Sequence, residues 1–412
     1  MRKRAKFFVC FVVCALLVST LALGAGRRDQ AAQNVITHWY WADSPAFSRL
    51  MQEMVEEFNA TNTKGITVVA HEFPWDGGRY SENVFIAAMG GGAPDTAAWK
   101  LTATPLFTAN RLLAPLDSFI NTWADRHLIE DSLWEVMRYA GGGTNTYVMP
   151  WNTQVLYVYY RPSMFRAAGI EVPRTYQEFL DAVRILTRDG VYGFGMRGST
   201  GGHEPWGSFI HARGGDFYNL TSPQAIQGMR DFVSLFTDGF TPRTAPADGF
   251  HEIISAFRSG LTAMTIHHTG SSVTMEETFG DDVSAFAFPA GPGGRWTSMG
   301  DTNNVIFQSS RNKEGAFYWL TWLATGRGQE TWNVATGNVP VSRTVQQLPF
   351  FQDNRFMRAS IDGAPYAGIL PILPTTTEFI TVYWPNTVAA VLTGLMTVEE
   401  AMAVLQRSLH GN

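Results

Sequence analysis

Between Gly201 and Gly207 the chain sets an imidazole (His203), a carboxylate (Glu204) and an indole (Trp206) within four residues, flanked by glycines that keep the backbone close and uncluttered. A carboxylate accepts paired hydrogen bonds from vicinal hydroxyls, and an indole stacks on the C–H face of a sugar ring. Glu204 with Trp206 therefore points to a sugar site. The plainer reading is a loop in which Glu204 caps a helix and Trp206 fills core.

Other polar groups suit the same ligand. Asn152 and Gln154, just past Pro150, are amides that donate and accept together, as hydroxyls do. Asp301-Thr302-Asn303-Asn304 is a polar cluster without Lys or Arg, which fits a neutral polyol, although an ordinary β-turn would look the same. His267-His268 suggests a metal, but neighbours on a strand point to opposite faces and no third ligand stands at metal spacing. His268 is then left as a hydroxyl partner. Gly193-Phe-Gly-Met-Arg-Gly198 matches a dinucleotide pattern only formally, without the strand, turn and helix that pattern needs. Arg161 and Arg197 would clamp a carboxylate if the solute were acidic; as structural ion pairs they need no ligand.

The chain starts with Arg2, Lys3, Arg4 and Lys6, then an apolar run of 19 residues from Phe7 to Ala25. Residues 1–26 read as a secretory signal, cut after Gly24 or Gly26. An uncleaved run of this length would span a bilayer and leave the protein membrane-anchored. Cys10 and Cys14, both inside the run, are the only cysteines, so the exported chain must hold together by its core. Without the four basic residues of the leader, 27 basic side chains face 36 acidic ones, a net charge near −9 that argues against nucleic acid. Length suggests two domains.

Helices and strands alternate throughout. Val35 to Trp41 reads as a strand, and Asp43-Ser44-Pro45 opens a helix with Phe47, Leu50, Met51, Met54, Val55 and Phe58 on one stripe. Ile66 to Val69 follows as a parallel strand, then a helix over Glu82–Met89 and a short strand over Thr96–Trp99. Trp41, Trp75 and Trp99 each stand at or just past a strand's C-terminal end, the edge where open parallel sheets bind ligands. Further on, Thr175–Glu178 and Thr397–Glu400 are capping boxes, and Ser222-Pro223 opens a helix with Ile226, Met229, Val233 and Phe236 inward.

The succession of Thr37 to Trp41, Phe58-Asn59, Pro74-Trp75-Asp76, Gly92-Ala93-Pro94-Asp95, Leu112 to Asp117, Pro150 to Thr153, Tyr159-Tyr160-Arg161 and Phe257 to Met264 resembles the extracellular solute-binding proteins of bacterial ABC sugar importers, family 1, the maltose-binding-protein-like group. The resemblance implies an α/β, two-lobe periplasmic-binding-protein fold of type II. Each lobe would be a mostly parallel sheet flanked by helices, hinged about a central cleft that the chain crosses three times. It implies lobe 1 as residues 27–151 plus 303–340 and lobe 2 as 152–302 plus 341–412. Glu204-Pro205-Trp206 matches an acid-proline-aromatic stretch of the family's cleft. The ligand set implied is Trp41, Asp43, Trp75, Trp99, Asn152, Gln154, Glu204, Trp206, His268, Asp301, Asn303 and Trp384, the last closing one side of the cleft or packing between helices. The function implied is carbohydrate capture outside the cytoplasmic membrane and delivery to an ABC permease, by a monomer with no cofactor, no metal and no catalysis. The competing reading is a secreted glycoside hydrolase using Glu204 and Asp301 across one bond.

Overall fold

The computed structural model describes residues 34–411 except 43 and 76–78, and gives Ser132 and Asp301 by backbone alone. The leader with Cys10 and Cys14, and the candidate Asp43, lie outside the described residues. The strands are β1 (Val35–Tyr40), β2 (Thr67–Glu72), β3 (Thr96–Trp99), β4 (Val148–Tyr160), β5 (Tyr192–Gly195), β6 (Thr262–His268), β7 (Ser284–Phe286), β8 (Thr297–Ile306), β9 (Val339–Pro340) and β10 (Ala367–Gly368).

The first βαβ unit forms as its sequence dictates. Ser44 accepts a hydrogen bond from the Phe47 N–H at 3.3 Å and Pro45 opens the helix Pro45–Thr61. That helix buries Met51, Met54, Val55 and Phe58, and Asn62 stops it by bonding the Phe58 carbonyl at 2.9 Å. β2 and β3 pair in parallel with the two edges of β1, so three strand ends share one rim.

Two long strands then cross the molecule in opposite directions. β4 pairs antiparallel with β8 from Val148 to Val155 and with β6 from Leu156 to Tyr160, while β8 also pairs with β3 over Asn303–Ile306. The order is β2-β1-β3-β8-β4-β6-β5. Parallel pairing thus holds β1, β2 and β3 together and β5 to β6, whereas the crossing pair is antiparallel because the chain leaves and re-enters the first lobe. The register shifts between Pro150 and Asn152, where proline has no N–H to give the ladder.

Apolar side chains sort into separate cores. One set joins Met51, Phe58, Trp151, Trp319 and Val341; another joins Leu156, Phe179, Phe209, Phe232 and Leu405. These are the cores of the two lobes. In the helix Pro223–Thr237 the inward face is Ala225, Met229, Phe232 and Val233, with Ile226 and Phe236 at its partly buried margins, a rotation from the stripe expected.

Gln329 fastens the crossing. Its side-chain amide donates to the Trp151 carbonyl at 2.7 Å and the Leu323 carbonyl at 2.9 Å, and its oxygen accepts from the Val341 N–H at 2.7 Å. The residue is fully buried. Gln329→Leu is expected to cost about 3 kcal/mol or more, since each orphaned buried polar group costs about 1–3 kcal/mol. A urea midpoint equal to wild type would contradict this clasp.

Candidate functional site

A cavity opens where the two cores meet. Trp41, Trp75 and Lys100 enter it from the first lobe, just beyond β1, β2 and β3. Arg197, Glu204 and His268 enter from the second, and Gln154 rises from the crossing strand β4. The two indoles lie 4.7 Å apart at 40°, and Lys100 Nζ stands 5.6 Å from one ring and 5.5 Å from the other, a cation over two π faces. An outer basin of about 760 Å³, bordered by Phe73, Trp75, Arg79, Phe250 and Glu252, adjoins this floor and falls within the size range of small-molecule sites.

Glu204 lies in the first turn of the helix Gly202 introduces, His203–Ala212, where the helix dipole favours a carboxylate. Arg197 Nη1 meets Glu204 Oε2 at 3.1 Å, while Arg197 Nε donates to the Thr200 carbonyl at 2.9 Å. Gly201 has φ +82°, and any Cβ there would fall 1.7 Å from the Arg197 guanidinium, so only glycine lets that arginine pass. Burial works to raise the Glu204 pKa; Arg197 first, then His203, Lys100 and His268, outweigh it and hold the carboxyl below its ordinary range. Burial pushes His203 down to about 4 and His268 to about 3, so both imidazoles are neutral at pH 7.

The candidates divide. Trp41, Trp75, Gln154, Glu204 and His268 line one cavity, with Thr302 of the Asp301–Asn304 cluster beside them. Trp99 does not join its two rim partners. It is 1% exposed, packs on Phe107 at 4.5 Å and donates to Thr104 Oγ1 at 3.0 Å, because side-chain alternation at the end of β3 turns Trp99 inward and Lys100 outward. Trp206 is fully buried among Phe217 and Trp384, the core-filling alternative, since it lies on the inner face of a helix and not in a loop. Trp384 is likewise enclosed, its Nε1 donating to the Ser199 carbonyl at 3.2 Å behind the cavity wall. Asn152 and Asn303 are buried in the crossing ladder, and the Asn152 amide has no partner among the described residues. Asp301 pairs its backbone with Thr153.

Two further expectations change. The rings of His267 and His268 lie 4.5 Å apart, not on opposite faces, because the strand ends there; among the described residues no three His, Cys, Asp or Glu groups could hold a metal ion. The cavity also holds two cations, Lys100 and Arg197, although the Asp301–Asn304 cluster has none. Lys100 was legible by the strand-end rule applied one residue later. Phe250, which packs on both histidines, carried no signal. Arg161 is spent elsewhere, its Nε and Nη2 reaching Asp282 Oδ2 at 2.9 and 2.6 Å.

This geometry has known relatives. The family described as Bacterial extracellular solute-binding protein matches residues 41–330. The chain belongs to that family. It is 25% identical to a protein of Brucella abortus (strain 2308) over 369 residues, 87% of each chain. It is also 25% identical over 301 residues to the mannitol-binding protein of Pseudomonas aeruginosa, covering 64% of this chain and 68% of that one. An ABC transporter solute-binding protein from Thermotoga lettingae, solved with alpha-D-tagatose bound, shares the fold with a TM-score of 0.82 at 21% identity, over 92% of this chain and 99% of that one. The family binds solutes without turning them over.

Two outcomes follow for this solute-binding protein. Trp206→Ala should lower ligand-free stability by about 3–5 kcal/mol, as large buried aromatics do; an unchanged melting temperature would move Trp206 out of the core. Unfolding frees His203 and His268 to bind protons below 6.5, whereas the folded chain takes them only below about 4 and about 3. Stability therefore falls as pH drops from 6.5 toward those values, by up to about 1.4 kcal/mol per pH unit for each imidazole. A denaturant midpoint that stays flat from pH 7 to pH 5 would contradict neutral, sequestered imidazoles.

Proposed function

We propose that this protein captures a carbohydrate or polyol in the cavity between its lobes and delivers it to the membrane subunits of an ABC importer. The observation that carries this reading is the meeting of Trp41, Trp75 and Lys100 from one lobe with Arg197, Glu204 and His268 from the other. Indole faces stack on C–H surfaces, and carboxylate, amide and imidazole groups match hydroxyls that both donate and accept. The mannitol-binding relative supports the polyol class. A ligand that touches both walls stabilises the closed arrangement, so capture shifts a hinge equilibrium and involves no bond-making step.

In this reading the lobes are residues 27–151 plus 303–340 and 152–302 plus 341–412, limits that agree with the division of the cores except at Val341, which packs in the core of the first lobe. The protein works as an exported monomer, outside the cytoplasmic membrane, with no nucleic acid partner. Among the described residues no helix is long and apolar enough to cross a membrane. A hydrolase would need one carboxylic acid held protonated. Glu204 is held ionised by Arg197 instead, which weighs against that role.

A melting screen against mono- and oligosaccharides and sugar alcohols tests the proposal. A true ligand at 100 times its Kd adds about 2.7 kcal/mol and leaves no reaction product. Trp75→Ala should weaken that shift while the ligand-free melt stays near wild type, and Glu204→Gln should weaken it while also lowering the ligand-free melt, because the buried Arg197 loses its charged partner. A screen in which no carbohydrate or polyol raises the melting temperature, or in which glycan product accumulates, would overturn it.

A further inference from the structure

Thr381 Oγ1 donates to Glu82 Oε1 at 2.8 Å, joining residues 299 apart in sequence. Glu82 belongs to the helix Arg79–Met89, whose Tyr80 and Val84 are packed in a core of the first lobe. Thr381 belongs to the π-helical turn Phe379–Tyr383, whose Phe379 is buried in the core of the second. The bond therefore ties one lobe to the other. It does so at the cavity wall, since Ser81, Ile380 and Thr381 all border the chamber that Trp75 and Glu204 share.

The local backbone is built for two arrangements. The Thr377 carbonyl lies 3.1 Å from the same Thr381 hydroxyl. One hydroxyl hydrogen thus has two acceptors, one across the lobe boundary and one within its own turn. If the lobes part, the hydroxyl keeps the Thr377 carbonyl and the half-buried Glu82 takes water, so neither group is left unpaired. The turn is wound more widely than an α-helix, with the Trp384 N–H bonding the Phe379 carbonyl five residues back, a geometry that recurs at functional sites.

We propose that Glu82 and Thr381 form a latch that sets the fraction of ligand-free protein in the closed arrangement, acting as positioning residues and not as ligand contacts. The idea rests on the hinge motion in the functional reading above but not on the ligand class. A hydrogen bond with an ionised acceptor that both states can partly replace has the strength a reversible switch needs: enough to bias two populations, too little to lock them.

The test is a distance distribution between spin labels on the two lobes of the full chain without ligand. Labels go on Thr63→Cys and Leu395→Cys, both exposed positions, with Cys10 and Cys14 replaced by serine. Thr381→Val is expected to raise the ratio of long to short distances about tenfold, in line with the loss of one hydrogen bond to a charged group. Glu82→Gln should shift it the same way but less, because its amide oxygen still accepts. Melting temperatures should stay near wild type. Two populations left unchanged by both variants would overturn the latch alone, and so would a lowered melting temperature with an unchanged distribution. A single distance in all three chains would overturn the latch and the hinge reading together.

Discussion

The antiparallel pairing of β4 with β8 is the constraint on which the molecule depends. These strands carry the chain between the lobes in opposite directions, and Gln154, Gly300 and Thr302 form the cavity floor. A slip of one residue would turn that floor into core and expose Val155 in its place. The bulge at Pro150 and the Gln329 amide oppose the slip, since Gln329 spans the Trp151 carbonyl of β4 and the Val341 N–H that follows β9. Gln154 adds a third tie, donating to Asn338 Oδ1 at 3.0 Å. The floor is therefore fixed, and the walls, each set in its own core, are the parts free to move as bodies.

The electrostatics of the walls follow from burial. A carboxylate taken out of water needs a partner, and Glu204 has Arg197 at 3.1 Å together with the start of its own helix. The arginine is in turn held by the Thr200 carbonyl and passes Gly201, where a side chain would strain a backbone at φ +82° and push the guanidinium off Glu204. Two imidazoles beside this pair stay neutral because charging them would add cost without a second anion among the groups facing them. What results is a polar surface that offers oriented hydrogen bonds from neutral imidazoles and an ion pair, with Lys100 as a second cation beside the two indoles.

Much of the fold was legible because local chemistry and global architecture agree. Ser44 and Thr397 cap helices as their spacing foretold, and β1, the helix after it and β2 form one parallel unit. The family's succession of motifs supplied what periodicity does not, the repeated crossing of the chain. Residues that line the cavity were legible where a strand end or helix start dictates direction, as for Trp41, Trp75 and Glu204. They were not where a residue is recruited by packing from far along the chain, as for Phe250, Ile380 and Thr381, whose sequences look like ordinary helix.

The tryptophans show why composition alone misleads. An indole covers the same apolar area whether it meets a sugar face or a phenylalanine, so Trp75 and Trp99 look alike in sequence. Direction separates them. β3 is buried on both faces from Thr96 to Trp99, so its last indole turns into Phe107 and Phe307 and the next residue, Lys100, is the first to reach the rim. Trp41 and Trp75 follow β1 and β2 after the strands have ended, and there they lie 4.7 Å apart at 40°, with Tyr80 of the helix Arg79–Met89 against both rings. A strand-end aromatic in a parallel sheet thus belongs to the site only when the ladder has already stopped before it.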